Sequence, residues 1–171
     1  MKRKAMAMAA AMIMAMALTA CGGSGDGSSA SSDAPAAGGD GYTFTSGSTV
    51  IAMNEDASAV VEELGEADDY FESESCAFEG LDKVYSYPGF QLNTYPVDDK
   101  DYVLSVVFMD DTVSTDEGIS IGSTKDEVTE AYGDPSSESA TELVYEKGDT
   151  ELKIGLDGDS VTTLEIAAVT E

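Results

Sequence analysis

The sequence ISIGSTKDEVTEAYGDP, residues 119–135, contains both the start and the stop signals of a short helix. Ser123 can cap its N-terminus, and Asp126 follows three residues later, much as in a capping box. Gly133 suits the residue after the last helical turn, and Pro135 prevents the helix from continuing. The apolar residues on one face are Val128, Ala131 and Tyr132. The stretch therefore predicts a short helix that needs a sheet to cover its small apolar face.

The same pattern occurs earlier in the chain, in the sequence IAMNEDASAVVEELGEA of residues 51–67. Here Asn54 takes the cap position, Gly65 ends the helix, and the apolar stripe is Ala57, Val60, Val61 and Leu64. Further matched pairs are Val84 with Val144, Tyr85 with Tyr145, Leu92 with Leu152, Val103 with Val161, Val106 with Leu164 and Phe108 with Ile166. We interpret this similarity as two degenerate repeats, residues 48–115 and 116–171.

Three strand-like runs with alternating apolar residues follow each predicted helix. They cover residues 83–87, 90–95 and 102–109 in the first repeat, and 142–146, 151–156 and 160–167 in the second. Three sets of turn-forming residues separate the runs, which predicts antiparallel hairpins: Pro88-Gly89, Lys147-Gly148-Asp149 and Asp157-Gly158-Asp159. Residues 48–53 and 118–121 are candidates for short edge segments. The predicted fold class is α+β, with two αβββ repeats whose helices pack on one face of an antiparallel sheet.

Residues 118–128, followed by Tyr132-Gly133-Asp134-Pro135, resemble the helix opening of the SmpA/OmlA (BamE-like) lipoproteins. In that family a Gly-x-[Ser/Thr]-x-x-[Asp/Glu]-Val segment leads to a Leu-Gly-x-Pro stop. The first repeat departs from this pattern, because Asn54 replaces the glycine region and Ala67 stands where the proline should be. The tandem arrangement is similar to beta-lactamase-inhibitor-protein-like modules, which bind proteins across a concave sheet. The resemblance implies a tandem α/β module that binds a protein.

The N-terminus has the features of a bacterial export signal. Basic residues 2–4 precede an uncharged run, residues 5–20, which is shorter than the roughly 20 apolar residues that a membrane-spanning helix needs. Leu18-Thr19-Ala20-Cys21 then resembles the lipobox of bacterial lipoproteins. This resemblance implies a signal peptide of residues 1–20, lipidation of Cys21, and attachment to the outer face of the cytoplasmic membrane. The alternative is an ordinary secretory signal followed by a coincidental cysteine.

Residues 21–47 begin at Cys21 and are then dominated by Gly, Ser, Ala and Asp. This composition offers few groups that could form a core, so a flexible linker is predicted between the anchor and the folded domain. A linker of this kind would hold the domain away from the bilayer.

The chain has 34 acidic and 8 basic residues, a formal net charge of −26, and no histidine. Such a charge excludes nucleic acid as a partner and disfavours direct contact with anionic lipid, so only the lipid anchor is expected to touch the membrane. The lack of histidine removes Ser-His-Asp and Cys-His catalysis and histidine-bound zinc. No phosphate loop or cofactor motif occurs, and we predict a non-enzymatic protein without a cofactor.

Tyrosines are the candidate contacts for a protein partner. Tyr85 and Tyr87 alternate on one face of the first predicted strand, and Tyr95 and Tyr102 flank the neighbouring turn. Tyrosines exposed on a sheet face are good anchors in protein interfaces, and the expected partner is another envelope or extracellular protein. The alternative is that these four rings fill the core.

A second hypothesis is a calcium- or solute-binding lipoprotein that uses clustered loop carboxylates. Asp98-Asp99-Lys100-Asp101 and Asp110-Asp111 could converge on one cation, whereas Asp157-Gly158-Asp159 lacks the continuation of an EF-hand loop and is better explained as a turn. No residues are assigned to a metal. A third hypothesis is an acidic spacer domain with no dedicated ligand.

Cys76 follows the acidic run Glu72-Ser73-Glu74-Ser75. Neighbouring carboxylates disfavour its thiolate form, and no histidine or lysine lies adjacent to favour it. We therefore predict a buried, inert cysteine, with a mixed disulfide to a partner or redox sensing as alternatives.

Overall fold

The computed structural model describes residues 39–170, in which ten strands and two helices are present. The signal peptide, the lipidation of Cys21 and most of the linker lie outside the described residues. The elements are β1 (Thr43–Ser46), β2 (Thr49–Ala52), α1 (Ala57–Leu64), β3 (Asp69–Glu74), β4 (Leu81–Tyr87), β5 (Phe90–Val97), β6 (Lys100–Phe108), α2 (Lys125–Tyr132), β7 (Ser137–Glu138), β8 (Glu142–Lys147), β9 (Thr150–Asp157) and β10 (Ser160–Ala168).

Eight of these strands form one antiparallel sheet in the order β3-β4-β5-β6-β10-β9-β8-β7. The last strand of the first repeat, β6, pairs with the last strand of the second, β10. Three residue pairs define this junction: Val107 with Glu165, Val106 with Ile166, and Ser105 with Ala167. Strands β1 and β2 form a separate hairpin.

The predicted α+β class is wrong, because the described part of the chain is mostly β. Strands account for 49% of it and helices for 12%. Each helix has only eight residues, and the residues they bury fully are Ala57, Val60 and Val128. The six predicted strands are present, but each repeat contributes a fourth strand to the sheet, β3 or β7, which the αβββ pattern did not include. Residues 118–121, a predicted edge segment, form no strand.

The three predicted hairpin turns are confirmed by residue pairs at the strand ends. Tyr87 pairs with Phe90, Lys147 with Thr150, and Asp157 with Ser160. The glycine in each two-residue connection has a positive φ: 84° at Gly89, which follows a proline as in a type II turn, and 57° and 62° at Gly148 and Gly158, which stand first in their turns as in primed hairpins. Local turn chemistry therefore sets the register of these strand pairs.

The helix caps were predicted slightly too early in the chain. Asp56 caps α1, and Thr124 caps α2 in a capping box with Glu127. Asn54 instead adopts a left-handed backbone with φ of 64°, a conformation that asparagine tolerates better than most residues, and Gly122 has a φ of 93° in the second half. Asn54 and Gly122 have equivalent roles, because each donates its N–H to the last strand of its own half. Asn54 donates to the Val103 carbonyl of β6 at 2.9 Å, and Gly122 donates to the Val161 carbonyl of β10 at 2.8 Å.

A tyrosine hydroxyl lies against the end of each helix. Tyr87 donates to the Gly65 carbonyl at 3.4 Å, and Tyr145 donates to the Gly133 carbonyl at 3.3 Å. By strand register, however, Tyr145 corresponds to Tyr85, as in the sequence alignment, because each pairs with the matched leucine of the next strand. The tyrosine that reaches the end of the helix therefore lies two residues later in the first copy than in the second.

One face of the sheet forms the hydrophobic core. A row of directly paired residues crosses six strands from β4 to β8: Tyr85, Leu92, Val106, Ile166, Leu152 and Tyr145. The middle four are at most 1% exposed. The buried residues of both helices belong to the same apolar cluster. Since full burial of such a side chain contributes about 1.5–3 kcal/mol, this row accounts for much of the stability of the sheet.

The hairpin β1–β2 completes this core. Phe44 is 1% exposed, and its ring lies 5.0 Å from the rings of both Phe90 and Phe108. The flexible linker predicted for residues 21–47 is therefore corrected at its C-terminal end, where Thr43–Ser46 forms β1. Within this Gly- and Ser-rich sequence, the large aromatic side chain of Phe44 was the sign that the segment contributes to the core.

Ile166→Ala tests the importance of the row that crosses the junction. Ile166 is 1% exposed and lies opposite both Val106 and Leu152, so its truncation should lower the free energy of unfolding by about 2–5 kcal/mol. Urea denaturation followed by circular dichroism measures the change. The control is Glu165→Ala on the opposite face, which should change the stability by only about 0.5 kcal/mol. Equal effects of the two variants would contradict the assignment of the faces.

The cap of α1 should make stability depend on pH. Asp56 accepts hydrogen bonds from Ser58 and pairs with Lys100 at 3.1 Å, and these contacts lower its carboxyl pKa, with the Ser58 hydroxyl as the largest cause. A lowered pKa stabilises the fold above the ordinary value of 3.8, and this stabilisation is lost as the pH falls through the lowered pKa. Asp56→Asn keeps a capping side chain but not the charge.

We expect the wild type to be more stable than Asp56→Asn near neutral pH, and the two proteins to converge in acid. Urea denaturation of both proteins over this pH range measures the difference. A constant difference at all pH values would show that the charge of Asp56 does not contribute.

Candidate protein-binding face

We call the face of the sheet opposite the core the free face. Strand registers place two rows of residues on it. The first row is Phe71, Val84, Asn93, Ser105, Ala167, Glu151 and Glu146; the second is Asp69, Ser86, Gln91, Val107, Glu165, Lys153, Val144 and Ser137. Within residues 39–170, none of these side chains belongs to the hydrophobic core cluster, and two of them, Ser105 and Ala167, are buried outside it.

The half of the free face formed by β3 to β6 has an uncharged patch. Its residues are Phe71, Val84, Ser86, Gln91, Asn93, Ser105 and Val107. Phe71 is 61% exposed, Ser105 is buried, and the other five are partly exposed. Because 25% of all residues in the chain are charged, a patch of seven neighbouring residues without a charge is distinctive.

Hydrogen bonds between neighbouring strands hold the polar side chains of the uncharged patch in place. Asn93 donates from Nδ2 to Ser105 Oγ at 2.9 Å, which joins β5 to β6. Gln91 donates from Nε2 to Ser86 Oγ at 3.2 Å, which joins β5 to β4. Side chains held in this way lose less conformational entropy when a partner covers them.

The other half of the free face is charged. Glu146, Glu151 and Glu165 lie on β8 to β10 together with Lys153. Lys153 pairs with Glu151 at 3.0 Å, and such a partly exposed ion pair contributes only about 0–1 kcal/mol. Asp69 lies at the outer end of the second row, on β3. The uncharged patch is thus bordered by a mainly acidic surface.

The four predicted binding tyrosines do not lie on an exposed surface. Tyr85 and Tyr87 share one face of β4, as expected, but it is the core face: Tyr87 is buried, and Tyr85 is partly buried against the core. Burial raises the pKa of both phenols. The alternation of Tyr85 and Tyr87 on one face of the strand was predicted correctly, but nothing in the sequence showed which face of the sheet the rest of the chain would cover.

Tyr95 and Tyr102 are paired across β5 and β6, and they are 4% and 8% exposed. The ring of Phe78 lies 4.8 Å from that of Tyr95, whose hydroxyl donates to Asn54 Oδ1 at 2.9 Å. Burial raises the pKa of Tyr95. The expectation that the four rings form one exposed binding surface is therefore corrected.

The loop carboxylates do not converge on a common point. Among residues 39–170, no group of three Asp, Glu or Cys side chains is arranged to hold a metal ion. Lys83 contacts Asp101 at 2.6 Å, which raises the pKa of the lysine, and Asp110 accepts the N–H of Thr112 at 2.8 Å. Asp157 ends β9 at a hairpin turn. These contacts give the carboxylates local structural roles.

Two further features were not expected. Cys76 is exposed, so the prediction of a buried cysteine is wrong. It lies in the β3–β4 loop, where its acidic neighbours favour contact with solvent.

The second feature is a cavity of about 340 Å³ beside α1, on the core side of the sheet. It is lined by Ala57, Ser58, Val61, Glu62, Tyr85 and Asp101. Ser58 is hydrogen-bonded to the capping Asp56, which gives this hydroxyl a structural role.

Comparisons with protein-family models, with curated proteins and with solved structures give no match. The resemblances to a lipobox and to BamE-like lipoproteins therefore stay predictions. No helix in the described residues is long and apolar enough to cross a membrane.

Sequence reasoning did not identify the uncharged patch, although a signal was present. Three short segments share one pattern, in which a core-facing residue stands between two uncharged residues: 84–86, 91–93 and 105–107. The repetition of this pattern in three adjacent strands is visible in the sequence, but the strand order is needed to bring the outward residues together.

Two neighbouring valines test the assignment of the faces. Val106 is 0% exposed in the core, whereas Val107 is partly exposed on the free face. Val107→Lys should change the free energy of unfolding by about 0.5 kcal/mol or less, while Val106→Lys should cost about 4 kcal/mol or more because it buries an unpaired charge. Thermal and urea denaturation provide the comparison. If Val107→Lys is as damaging as Val106→Lys, another part of the chain covers this face.

Proposed function

We propose that this protein is a lipid-anchored bacterial lipoprotein outside the cytoplasmic membrane, which binds another envelope or extracellular protein through its free face without catalysing a reaction. The observation that carries the proposal is the uncharged patch on the sheet of a protein with 34 acidic residues. Charged residues are depleted at the centre of protein interfaces, whereas the rim is polar. The patch and its acidic border have this arrangement.

The size of the free face supports a protein as the partner. Eight strands spaced about 4.8 Å apart span about 34 Å, and all of them except the two-residue β7 have six to nine residues and extend about 20–30 Å. The resulting area is comparable with the roughly 800 Å² that each partner buries in a standard protein interface. The aromatic residue in the two rows of the free face, Phe71, is 61% exposed and lies on the edge strand β3.

Charge indicates the chemistry of the partner. The border of the patch includes Asp69 and Glu165, and the whole chain has a net charge of −26. A basic rim on the partner would complement this surface and accelerate the encounter. The same charge repels nucleic acid.

The anchor in this proposal rests on the sequence. A lipid on Cys21 would fix the protein to the membrane, and the Gly- and Ser-rich residues that follow would tether the domain beside it. The partner would then be met close to the membrane surface, where tethering raises the local concentration of the domain.

A photo-cross-linking amino acid at Val107 tests the proposed interface in the producing bacterium. The matched control is the same amino acid at Val50, which is 56% exposed on the β1–β2 hairpin and lies away from the free face. We expect a discrete adduct from position 107 with one extracytoplasmic protein, and none from position 50. Mass spectrometry identifies the protein in the adduct.

The purified partner then provides the quantitative test. Val107→Lys in the full chain should weaken binding about tenfold or more, with thermal stability unchanged. If position 107 gives no adduct, or the same adducts as position 50, the free face is not an interface. That result would favour the hypothesis of an acidic spacer domain.

A further inference from the structure

Strand β3, Asp69–Glu74, is an edge of the eight-stranded sheet. It pairs with β4 on one side, and within the described residues its other side has no strand partner. All six of its side chains are exposed. The opposite edge of the sheet is β7, which has only two residues. Among residues 39–170, the eight-stranded sheet therefore has one edge that is longer than two residues and could accept another strand.

The hydrogen-bonding direction of this edge follows from the register. Ser75 donates its N–H to the Gly80 carbonyl at 3.0 Å, and the register continues without a shift along β3 and β4. Because hydrogen-bonded and non-hydrogen-bonded pairs alternate in antiparallel strands, Asp69, Phe71 and Ser73 direct their backbone groups toward β4. The N–H and C=O groups of Tyr70, Glu72 and Glu74 consequently face outward.

The side chains on β3 are acidic and aromatic. Glu72 lies opposite Lys83, but the lysine Nζ contacts Asp101 at 2.6 Å and is occupied by that carboxylate. Glu72 accepts a hydrogen bond from Tyr70, which raises the pKa of the phenol and keeps its proton in place. Glu72 and Glu74 lie on the same face of the strand, so basic residues at every second position of an added strand could meet both.

A second copy of this chain does not suit this edge. Two antiparallel β3 strands would bring together two acidic segments, each with Asp69, Glu72 and Glu74, and like charges opposite each other are destabilising. Charged residues at an edge commonly protect against such self-pairing. However, Tyr70 and Phe71 are 47% and 61% exposed, and protection against pairing does not require two large aromatic rings. Phe71 also belongs to the uncharged patch, so the edge and the free face form one continuous surface.

We propose that β3 binds an extended, basic segment of the partner protein as an additional antiparallel strand. The outward N–H and C=O groups of β3 supply the backbone hydrogen bonds, Glu72 and Glu74 meet lysine or arginine side chains, and Phe71 contacts an apolar residue between them. This inference rests on the proposed function, because it assigns the class of partner and the manner in which the partner is bound.

The test uses the full chain in detergent and a synthetic peptide of alternating lysine and valine. Titration followed by NMR of the ¹⁵N-labelled protein should protect the N–H groups of Tyr70, Glu72 and Glu74 from hydrogen exchange. Glu72→Pro removes one outward N–H while leaving the inward backbone bonds to β4, and it should weaken peptide binding about tenfold or more. Glu130→Gln, an exposed charge change on α2, is the control and should bind as the wild type does.

Backbone N-methylation of the peptide lysines separates strand addition from simple charge attraction. The methylated peptide keeps its charge but loses the N–H donors opposite Glu72 and Glu74, so its binding should fall by about the same factor as for Glu72→Pro. Equal binding of the two peptides, or binding without protection of the three N–H groups, would overturn the inference. Since protection is measured on the wild type, this readout holds even if Glu72→Pro loosens β3.

Repeating the cross-linking at Val107 in the Glu72→Pro background distinguishes this inference from the proposed function. Loss of the adduct supports strand addition at β3. An adduct that persists unchanged shows that the free face binds a protein without the help of this edge, which overturns the inference and leaves the proposed function standing.

Discussion

The pairing of β6 with β10 is the constraint on which the rest of the structure depends. Three residue pairs, centred on Val106 and Ile166, join the strands of the two halves into one sheet. The core row continues through this junction from Tyr85 to Tyr145, so each half pairs its last strand with that of the other. A four-stranded half with one eight-residue helix would leave this apolar surface exposed to water. The two repeats are therefore expected to fold together.

The same junction determines which residues lie on the free face. Because side chains alternate along a strand, the contacts that bury Val106 and Ile166 turn Ser105, Val107 and Ala167 to the free face. The uncharged patch lies on the first half of that face, the acidic residues lie on the second half, and the exposed edge β3 borders the patch. One continuous surface thus combines an apolar contact, available backbone hydrogen bonds and negative charge, which are the features needed to bind a basic, extended polypeptide.

Local signals in the sequence predicted the elements better than the architecture. The hairpin turns at Gly89, Gly148 and Gly158 and the six strands between them were predicted because turn chemistry and alternation act over a few residues. The fold class was not predicted correctly, since nothing local shows that β3 and β7 join the sheet. The tyrosines were misplaced for a related reason: alternation puts Tyr85 and Tyr87 on one face, but Phe44 and the helices, distant in sequence, make it the covered face. The uncharged patch likewise depends on strand order.

Native-state hydrogen exchange, resolved by residue, tests the dependence on the β6–β10 junction most directly. If the junction holds both halves in one cooperative unit, the N–H groups of β5, β6, β9 and β10 should exchange with one common free energy of opening, equal to that of global unfolding. The N–H groups of the edge strands β3 and β7 should exchange faster. If β6 and β10 open with a lower free energy than β5 and β9, the two halves are stable separately, which would contradict a fold that depends on their junction.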